Sequence, residues 1–251
     1  MSIGARDGTS VATGLARVRQ SIEDAAASVG RDPAEVDLIA VSKGFSSATV
    51  RQALDAGQID FGENRAQEAE QKHREVGHGV RWHFIGRLQR NNVTRLVGFT
   101  YAIHSVDRKS LASEINSRAE VPMKVLAQVN LSGEQQKAGV TPNELPDLVE
   151  AILGMSRLDL IGLMTMAPRL ADAESARPLF AELARLRADV SERFSSPRIH
   201  HLSMGMSQDY VVAVEEGATM VRIGEAIFGP RGRPELQSSS VDAYGSRKVS
   251  P

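Results

Sequence analysis

The chain has 251 residues, which is close to the usual size of about 250 residues for one (β/α)8 barrel and would also hold two smaller domains. Its 30 basic and 31 acidic side chains nearly cancel, so charge gives no reason to expect a nucleic acid or an anionic membrane as a partner. The lack of cysteine excludes disulfides and thiolate metal sites, and no apolar run suits a signal peptide or a membrane span, so a cytoplasmic α/β protein is expected.

Short apolar runs alternate with helical segments along the chain. After an opening helix over 11–29, the predicted buried strands are 36–41, 59–62, 80–85, 99–104, 123–130, 158–163, 198–202 and 219–223. The predicted helices that follow are 50–56, 66–75, 92–97, 109–118, 141–153, 179–190 and 207–216. Thr141 is predicted to cap its helix, with Pro142 in the first turn.

This alternation predicts parallel βαβ units and a single (β/α)8 barrel of the TIM type with an additional N-terminal helix. An open doubly wound sheet is the alternative, and periodicity does not exclude it. The barrel is expected to cover residues 11–235, because no linker or shift in composition divides them. Residues 1–10 are predicted to be a flexible N-terminus, and the polar, Ser-rich segment 236–251 to be disordered.

Small, polar or charged residues follow the predicted strands. The active site of an α/β barrel lies at the carboxyl ends of its strands, so these positions are the first candidates. Lys43 is the strongest candidate, because it follows the end of an apolar strand and directly precedes Gly44. A lysine that is partly desolvated there favours the free amine, which attacks carbonyl groups to form Schiff bases. The alternative is a strand-end lysine that reaches solvent.

The segment 203–207 after the seventh strand is a candidate anion site. Ser207 is predicted to cap the next helix, which would leave backbone N–H groups and the positive end of the helix dipole facing an anion. The loops after strands seven and eight hold phosphate in many barrels, and Gly224 follows strand eight. A plain helix cap beside a flexible glycine is the alternative.

Three further features remain open from the residues alone. Asn64 and Arg65 could orient a ligand or form an ordinary turn. Arg222, late in the eighth strand, needs a partner if buried; a phosphate, a cofactor ring nitrogen or an internal carboxylate would each serve. His200 and His201 are adjacent on a strand and point to opposite faces, so no metal site is predicted.

Eight motifs, in order, resemble one known family. They are Val41–Lys43, Phe61–Arg65 with Gln67–Glu68, Trp82–Gln89, His104–Asp107, Asn130–Glu134, Gly162–Met166, Leu202–Ser207 and Val221–Gly229. The family is that of the pyridoxal phosphate homeostasis proteins, single-domain relatives of the alanine racemase barrel. The resemblance runs from about Val11 to Arg231 and is specific because the motifs occur together.

The resemblance implies a barrel that binds pyridoxal 5′-phosphate (PLP) as a Schiff base on Lys43. It implies phosphate contacts from the loop containing Ser203, Gly205 and Ser207 and from the region of Arg222 and Gly224. The matching cofactor-pocket positions are Asn64, His83, Ser105 and Met164. Whether Arg222 would face the phosphate or the pyridine nitrogen is left open.

The family implies a carrier or regulator of intracellular PLP and amino-acid balance, with little or no turnover. Alanine racemases take a second catalytic group from an additional domain and a partner subunit, and this chain is expected to lack that domain and to be a monomer. Apo forms of PLP-dependent enzymes are the implied partners. An amino-acid racemase and a PLP-free barrel that forms substrate imines, as class I aldolases do, are the alternatives.

Overall fold

The structure is a computed structural model that describes residues 10–134, 138–168 and 171–230. Its strands are β1 Asp37–Val41, β2 Asp60–Glu63, β3 Arg81–Phe84, β4 Thr100–Val106, β5 Met123–Gln128, β6 Leu158–Met164, β7 His201–Ser203 and β8 Met220–Ile223. Its α-helices are α1 Val11–Ser28, α2 Ser47–Asp55, α3 Ala66–Val76, α4 Lys109–Arg118, α5 Leu145–Leu153, α6 Arg177–Arg193, α7 Tyr210–Glu215 and α8 Glu225–Phe228. Short 3-10 helices span Pro33–Glu35, Arg90–Arg95 and Glu174–Ala176.

The eight strands form a closed parallel barrel in sequence order. The last strand returns to the first, with Ile39 opposite Arg222 and Ala40 opposite Ile223. This closure confirms the predicted (β/α)8 barrel and excludes the open doubly wound sheet. Short strands suffice because each is hydrogen-bonded on both edges and covered by helices on its outer face.

Buried apolar side chains form two layers. The larger layer fills the space between the strands and the surrounding helices. The smaller one lies inside the barrel and contains Ile39, Ala102, Leu126, Ile161, Met164 and Met220. The inner layer comes from β1, β4, β5, β6 and β8. Since successive strand residues point to opposite faces, polar residues at inward positions are enclosed by the barrel.

The additional helix α1 packs against the outside of the barrel beside α7 and α8. Ser10 caps it by accepting a hydrogen bond from the Thr13 N–H. Leu15, Val18 and Ile22 form its buried stripe. The predicted N-terminal helix is therefore confirmed. The rest of the predicted flexible N-terminus and the predicted tail 236–251 lie outside the described residues.

Three local predictions are wrong. The short helix predicted over 92–97 is a 3-10 helix that spans Arg90–Arg95. Thr141 does not cap α5, which begins at Leu145, because its hydroxyl and N–H donate to the carboxylate of Glu144. The fourth strand continues to Val106, past a shift in register after Ile103.

No helix in the described ranges has both the length and the apolar character that a membrane crossing requires.

Candidate cofactor-binding site

A cavity of about 640 Å³ opens at the carboxyl ends of the strands. Its wall comes from the ends of β1, β2, β3, β6, β7 and β8 and the segments that follow them. A barrel gathers these loops at one end, so residues that are distant in sequence share a wall.

The structure places the predicted site residues in two groups. Those that line the cavity are Lys43, Asn64, Ser207, Arg222 and Gly224. Those that do not line it are His83, Ser105, Met164, Ser203 and Gly205, all of which are buried. The second group can therefore affect a ligand in the cavity only through the residues that form its wall.

Lys43 lies where the loops after β1 and β8 approach each other. The lysine is partly buried. Phe45, two residues later, packs on Phe228 with 5.1 Å between ring centroids. A Cβ atom on Gly224 would lie 3.0 Å from the carbonyl oxygen of Val41, which is tighter than van der Waals contact. Glycine at this position thus lets the segment after β8 pack beside the end of β1.

Arg222 brings a buried positive charge to the cavity wall. It is 3% exposed, and its guanidinium donates to the Ser203 hydroxyl at 2.6 Å and to the Thr165 carbonyl oxygen at 2.8 Å. Both acceptors are neutral. Burial lowers the pKa of Arg222 to about 10, against a smaller opposing effect of Asp209, so the group remains a cation at neutral pH. A buried cation with neutral partners is suited to an anionic ligand.

A chain of buried hydrogen bonds runs from Arg222 through the barrel interior to its opposite end. The Ser203 hydroxyl contacts His104 Nδ1 at 2.8 Å, and His104 Nε2 contacts His83 Nδ1 at 2.9 Å. His83 Nε2 then contacts Asp60 Oδ1 at 2.9 Å. Asp60 also pairs with Arg81. His83 and Ser203 thus belong to this chain, behind the cavity wall.

Arg222 and Asp60 fix the direction of the hydrogen bonds at the two ends of the chain. Arg222 can only donate, and an ionised Asp60 can only accept. Ser203 therefore accepts from Arg222, and His83 donates to Asp60 through Nε2, while His104 between them accepts on one ring nitrogen and donates on the other. Burial, together with His83 and Arg222, holds the pKa of His104 well below its ordinary value, which supports the neutral form.

Asp60 stays ionised despite its burial. Burial by itself would raise the pKa of this carboxyl, but hydrogen bonds from His83 and Arg81 outweigh that effect and lower it. Neither Asp60 nor a role for His104 was predicted from the sequence. The available signal was a polar residue at an inward position of an apolar strand.

The loop after β7 differs from its prediction. The helix begins at Tyr210, so the prediction that Ser207 caps it is wrong. Asp209 instead accepts from the Met206 N–H at 2.6 Å and closes a tight turn. Ser207 lines the cavity, and its hydroxyl contacts the Ala226 N–H at 3.4 Å. The loops after β7 and β8 are therefore bonded to each other.

Gly205 and Asp209 shape this loop. Gly205 has a φ of +89°, and a Cβ there would lie 2.6 Å from that of Ala213. Its carbonyl oxygen accepts from the Arg222 N–H at 3.0 Å. Asp209 lines the cavity although the sequence analysis did not select it, and burial raises the pKa of its carboxyl.

Ser105 and Met164 lie away from the cavity wall. Met164 is fully buried in the layer inside the barrel. Ser105 is 2% exposed within β4, and no hydrogen-bond partner for its hydroxyl is found among the described residues. Both were predicted from motif positions at strand ends, and the structure places them within or at the last residue of their strands.

The residues on the cavity wall fit PLP chemically. Lys43 provides a primary amine for an aldehyde, Arg222 a buried cation for an anion, and Ser207 and Asn64 neutral polar groups. Gly224 adds a stretch of wall without a side chain, packed beside the end of β1. An aldehyde that carries a phosphate matches this set of groups.

Comparison with known proteins places the fold and the motifs in one family. The model of the family "alanine racemase, N-terminal domain" matches residues 15–232. A pyridoxal phosphate homeostasis protein of Aquifex aeolicus is 42% identical over 221 residues, 86% of this chain and 96% of that protein. A solved protein of unknown function from Bifidobacterium adolescentis has a TM-score of 0.82 at 32% identity, covering 87% of this chain and 94% of that one.

A second solved structure, PipY of Synechococcus elongatus with PLP bound, has a TM-score of 0.78 at 35% identity and covers 87% of this chain and 100% of that one. These matches confirm the resemblance inferred from the eight motifs. The chain belongs to the family of pyridoxal phosphate homeostasis proteins, and its barrel is of the alanine racemase N-terminal type.

Proposed function

We propose that this protein binds PLP in the cavity at the carboxyl end of the barrel, as a Schiff base with Lys43, and serves intracellular PLP homeostasis with little or no turnover. The observation that carries the proposal is that Lys43 and the buried cation Arg222 line one cavity. The relative from Synechococcus elongatus that was solved with PLP bound covers 87% of this chain. When bound, PLP supplies an aldehyde for the amine and a ring that withdraws electrons from it.

Each group on the wall has a proposed part. Ser207 and the backbone around Gly224 contact the phosphate, where the loops after β7 and β8 are bonded together. Arg222 supplies the positive charge, and Ser203 and Gly205 hold it from behind. Asn64 lines the wall on the side of β2. His83 acts through the hydrogen-bond chain, and Ser105 and Met164 through packing of the barrel wall.

Low turnover is proposed because two of the three acidic groups among the described wall residues, Asp172 and Asp209, already accept hydrogen bonds, and the third, Glu225, is exposed. A racemase must place an acid or base opposite the lysine to move the α-proton. Asp172 accepts hydrogen bonds from the N–H and hydroxyl of Ser175, and Asp209 accepts from the Met206 N–H. The protein is proposed to act as a cytoplasmic monomer that releases PLP to the apo forms of PLP-dependent enzymes.

Absorbance spectroscopy tests the binding. Protein reconstituted with PLP should show a Schiff-base band near the visible edge, and Lys43→Ala should lack it. Lys109→Ala is the matched control, because its side chain is 61% exposed on α4. The same band in Lys43→Ala would contradict the proposed linkage. Exchange of the α-proton of L-alanine in deuterated water at the rate of a racemase would contradict the low turnover.

A further inference from the structure

A buried ionic cluster lies directly beneath the backbone that carries Lys43. Its members are Glu63 at the end of β2 and Glu68 and Lys72 on α3. Lys72 is 4% exposed, and its ammonium contacts Glu63 Oε1 at 2.6 Å and Glu68 Oε1 at 2.7 Å. Its third contact is the Ser42 carbonyl oxygen at 2.7 Å. Three acceptors use all three hydrogens of an ammonium group.

The cluster holds the chain on both sides of Lys43. On the preceding side, Ser42 offers its carbonyl oxygen to Lys72 and donates its hydroxyl to Glu63 Oε1 at 2.6 Å. On the following side, the Gly44 N–H donates to Glu68 Oε1 at 2.6 Å. Because Glu68 and Lys72 are four residues apart on one helix, a single face of α3 reaches both flanks of the lysine.

A contribution to folding stability does not explain why charged residues occupy these buried positions. Glu63 is 1% exposed, so the cluster takes charged groups out of water. Buried ion pairs are often no more stabilising than apolar side chains of similar volume. Apolar side chains, however, could not bind the carbonyl of Ser42 or the N–H of Gly44. What the charges add is a fixed backbone at residues 42–44.

We infer that Lys72, together with Glu63 and Glu68, is a positioning residue that fixes the backbone around Lys43 and so presents its amine to the cavity. This rests on the proposed function, since it assigns a role in forming the Schiff base. Lys72 itself does not line the cavity. Its effect passes through the peptide groups that flank Lys43.

The Lys72 ammonium stabilises the ionised forms of both carboxylates in the cluster. Burial raises the pKa of Glu63, against the opposing effect of Lys72. Burial would also raise the pKa of Glu68, but the bonds from Lys72 and Gly44 lower it. Without the ammonium, two carboxylates would face each other beneath Ser42, and one would take up a proton. The loop should then lose its fixed position.

The decisive variants are Lys72→Met, which removes the charge at similar length, and Lys72→Arg, which keeps it. Lys109→Met is the control for an exposed lysine on α4. We expect Lys72→Met to weaken PLP binding about tenfold, to slow formation of the Schiff-base band, and to shift the pH at which that band changes. Lys72→Arg should recover most of the affinity, and Lys109→Met should match the wild type.

A second variant keeps the inference testable if Lys72→Met does not fold. Glu68 is partly exposed, so Glu68→Ala should fold while removing the acceptor of the Gly44 N–H. It should weaken PLP binding and slow band formation in the same direction, by about threefold or more.

Two results separate the inference from the function beneath it. Variants that melt at a lower temperature without PLP, but keep the wild-type affinity, rate and pH profile, would show that the cluster is only structural and would overturn the inference. A wild-type protein that forms no Schiff base on Lys43 would overturn the proposed function, and the inference with it.

Discussion

Replacing His104 by leucine is expected to remove a large part of the stability of the protein. The imidazole is fully buried and joins the Ser203 hydroxyl to His83 Nδ1 in the middle of the hydrogen-bond chain. Leucine fills a comparable volume but makes no hydrogen bond, so the change isolates the polar contribution. It leaves the Ser203 hydroxyl and the His83 Nδ1 atom each without the hydrogen-bond partner that His104 supplies.

The expected magnitude follows from those two groups. A buried polar group left without a partner costs about 1–3 kcal/mol, so the substitution should lower the free energy of unfolding by about 2–6 kcal/mol. Folded domains have only about 5–15 kcal/mol in total. The loss should also weaken the hold on Arg222, because the Ser203 hydroxyl and the Thr165 carbonyl oxygen are the two groups to which its guanidinium donates.

Urea unfolding of His104→Leu measures this loss as a shift in the midpoint at an unchanged slope. Ile103→Val on the same strand is the control for loss of packing alone, at about 0.5–1.5 kcal/mol. The variant His83→Leu/His104→Leu completes a thermodynamic cycle. Because it removes both partners of their shared bond, its cost should be less than the sum of the single costs by about 0.5–3 kcal/mol. A loss below about 1 kcal/mol for His104→Leu, or strictly additive costs, would refute the proposed chain.

Two further outcomes are expected. Gly86→Ala should weaken PLP binding, because the added Cβ would lie 2.2 Å from the backbone oxygen of Asn64 on the cavity wall. Gly98→Ala is the control, because its Cβ would enter open space, and it should bind PLP as the wild type does. Equal affinity of the two variants for PLP would contradict this prediction. The free energy of unfolding should fall as the pH falls below about 6.5. Burial lowers the pKa of His104 well below 6.5 and that of His201 to about 4. The unfolded chain therefore binds protons at a higher pH than the folded protein does, and acidification favours unfolding. Urea unfolding midpoints at about pH 7 and about pH 5.5 measure this change in the free energy of unfolding. The decrease should be smaller in His104→Leu than in the wild type. An increase in the stability of the wild type on acidification would contradict the prediction.

The barrel could be predicted from the sequence because each of its units repeats one pattern. Apolar runs buried on both faces, followed by helical segments, leave few arrangements for eight units. The same rule brought Lys43, Asn64 and Arg222 to one cavity, since the ends of parallel strands meet. Position at the end of a strand therefore predicted more of the residues on the cavity wall than any single motif did.

The sequence did not predict which buried residues support the cavity wall without lining the cavity. Lys72 lies in a helix with many charged residues and would be expected in solvent; it is buried because it reaches Ser42, 30 residues away. The contact between His104 and Ser203 joins residues 99 apart. The shift in register after Ile103 also moves the end of β4 beyond its apolar run. Such contacts depend on barrel closure and on register.

Borohydride reduction of PLP-treated protein, followed by digestion and mass measurement, tests the central claim most directly. Reduction converts a Schiff base into a stable bond, so the modified peptide identifies the lysine. The account predicts a PLP-sized adduct on the peptide containing Lys43 and its loss in Lys43→Ala. An unmodified Lys43 peptide, or the adduct on another lysine, would contradict it.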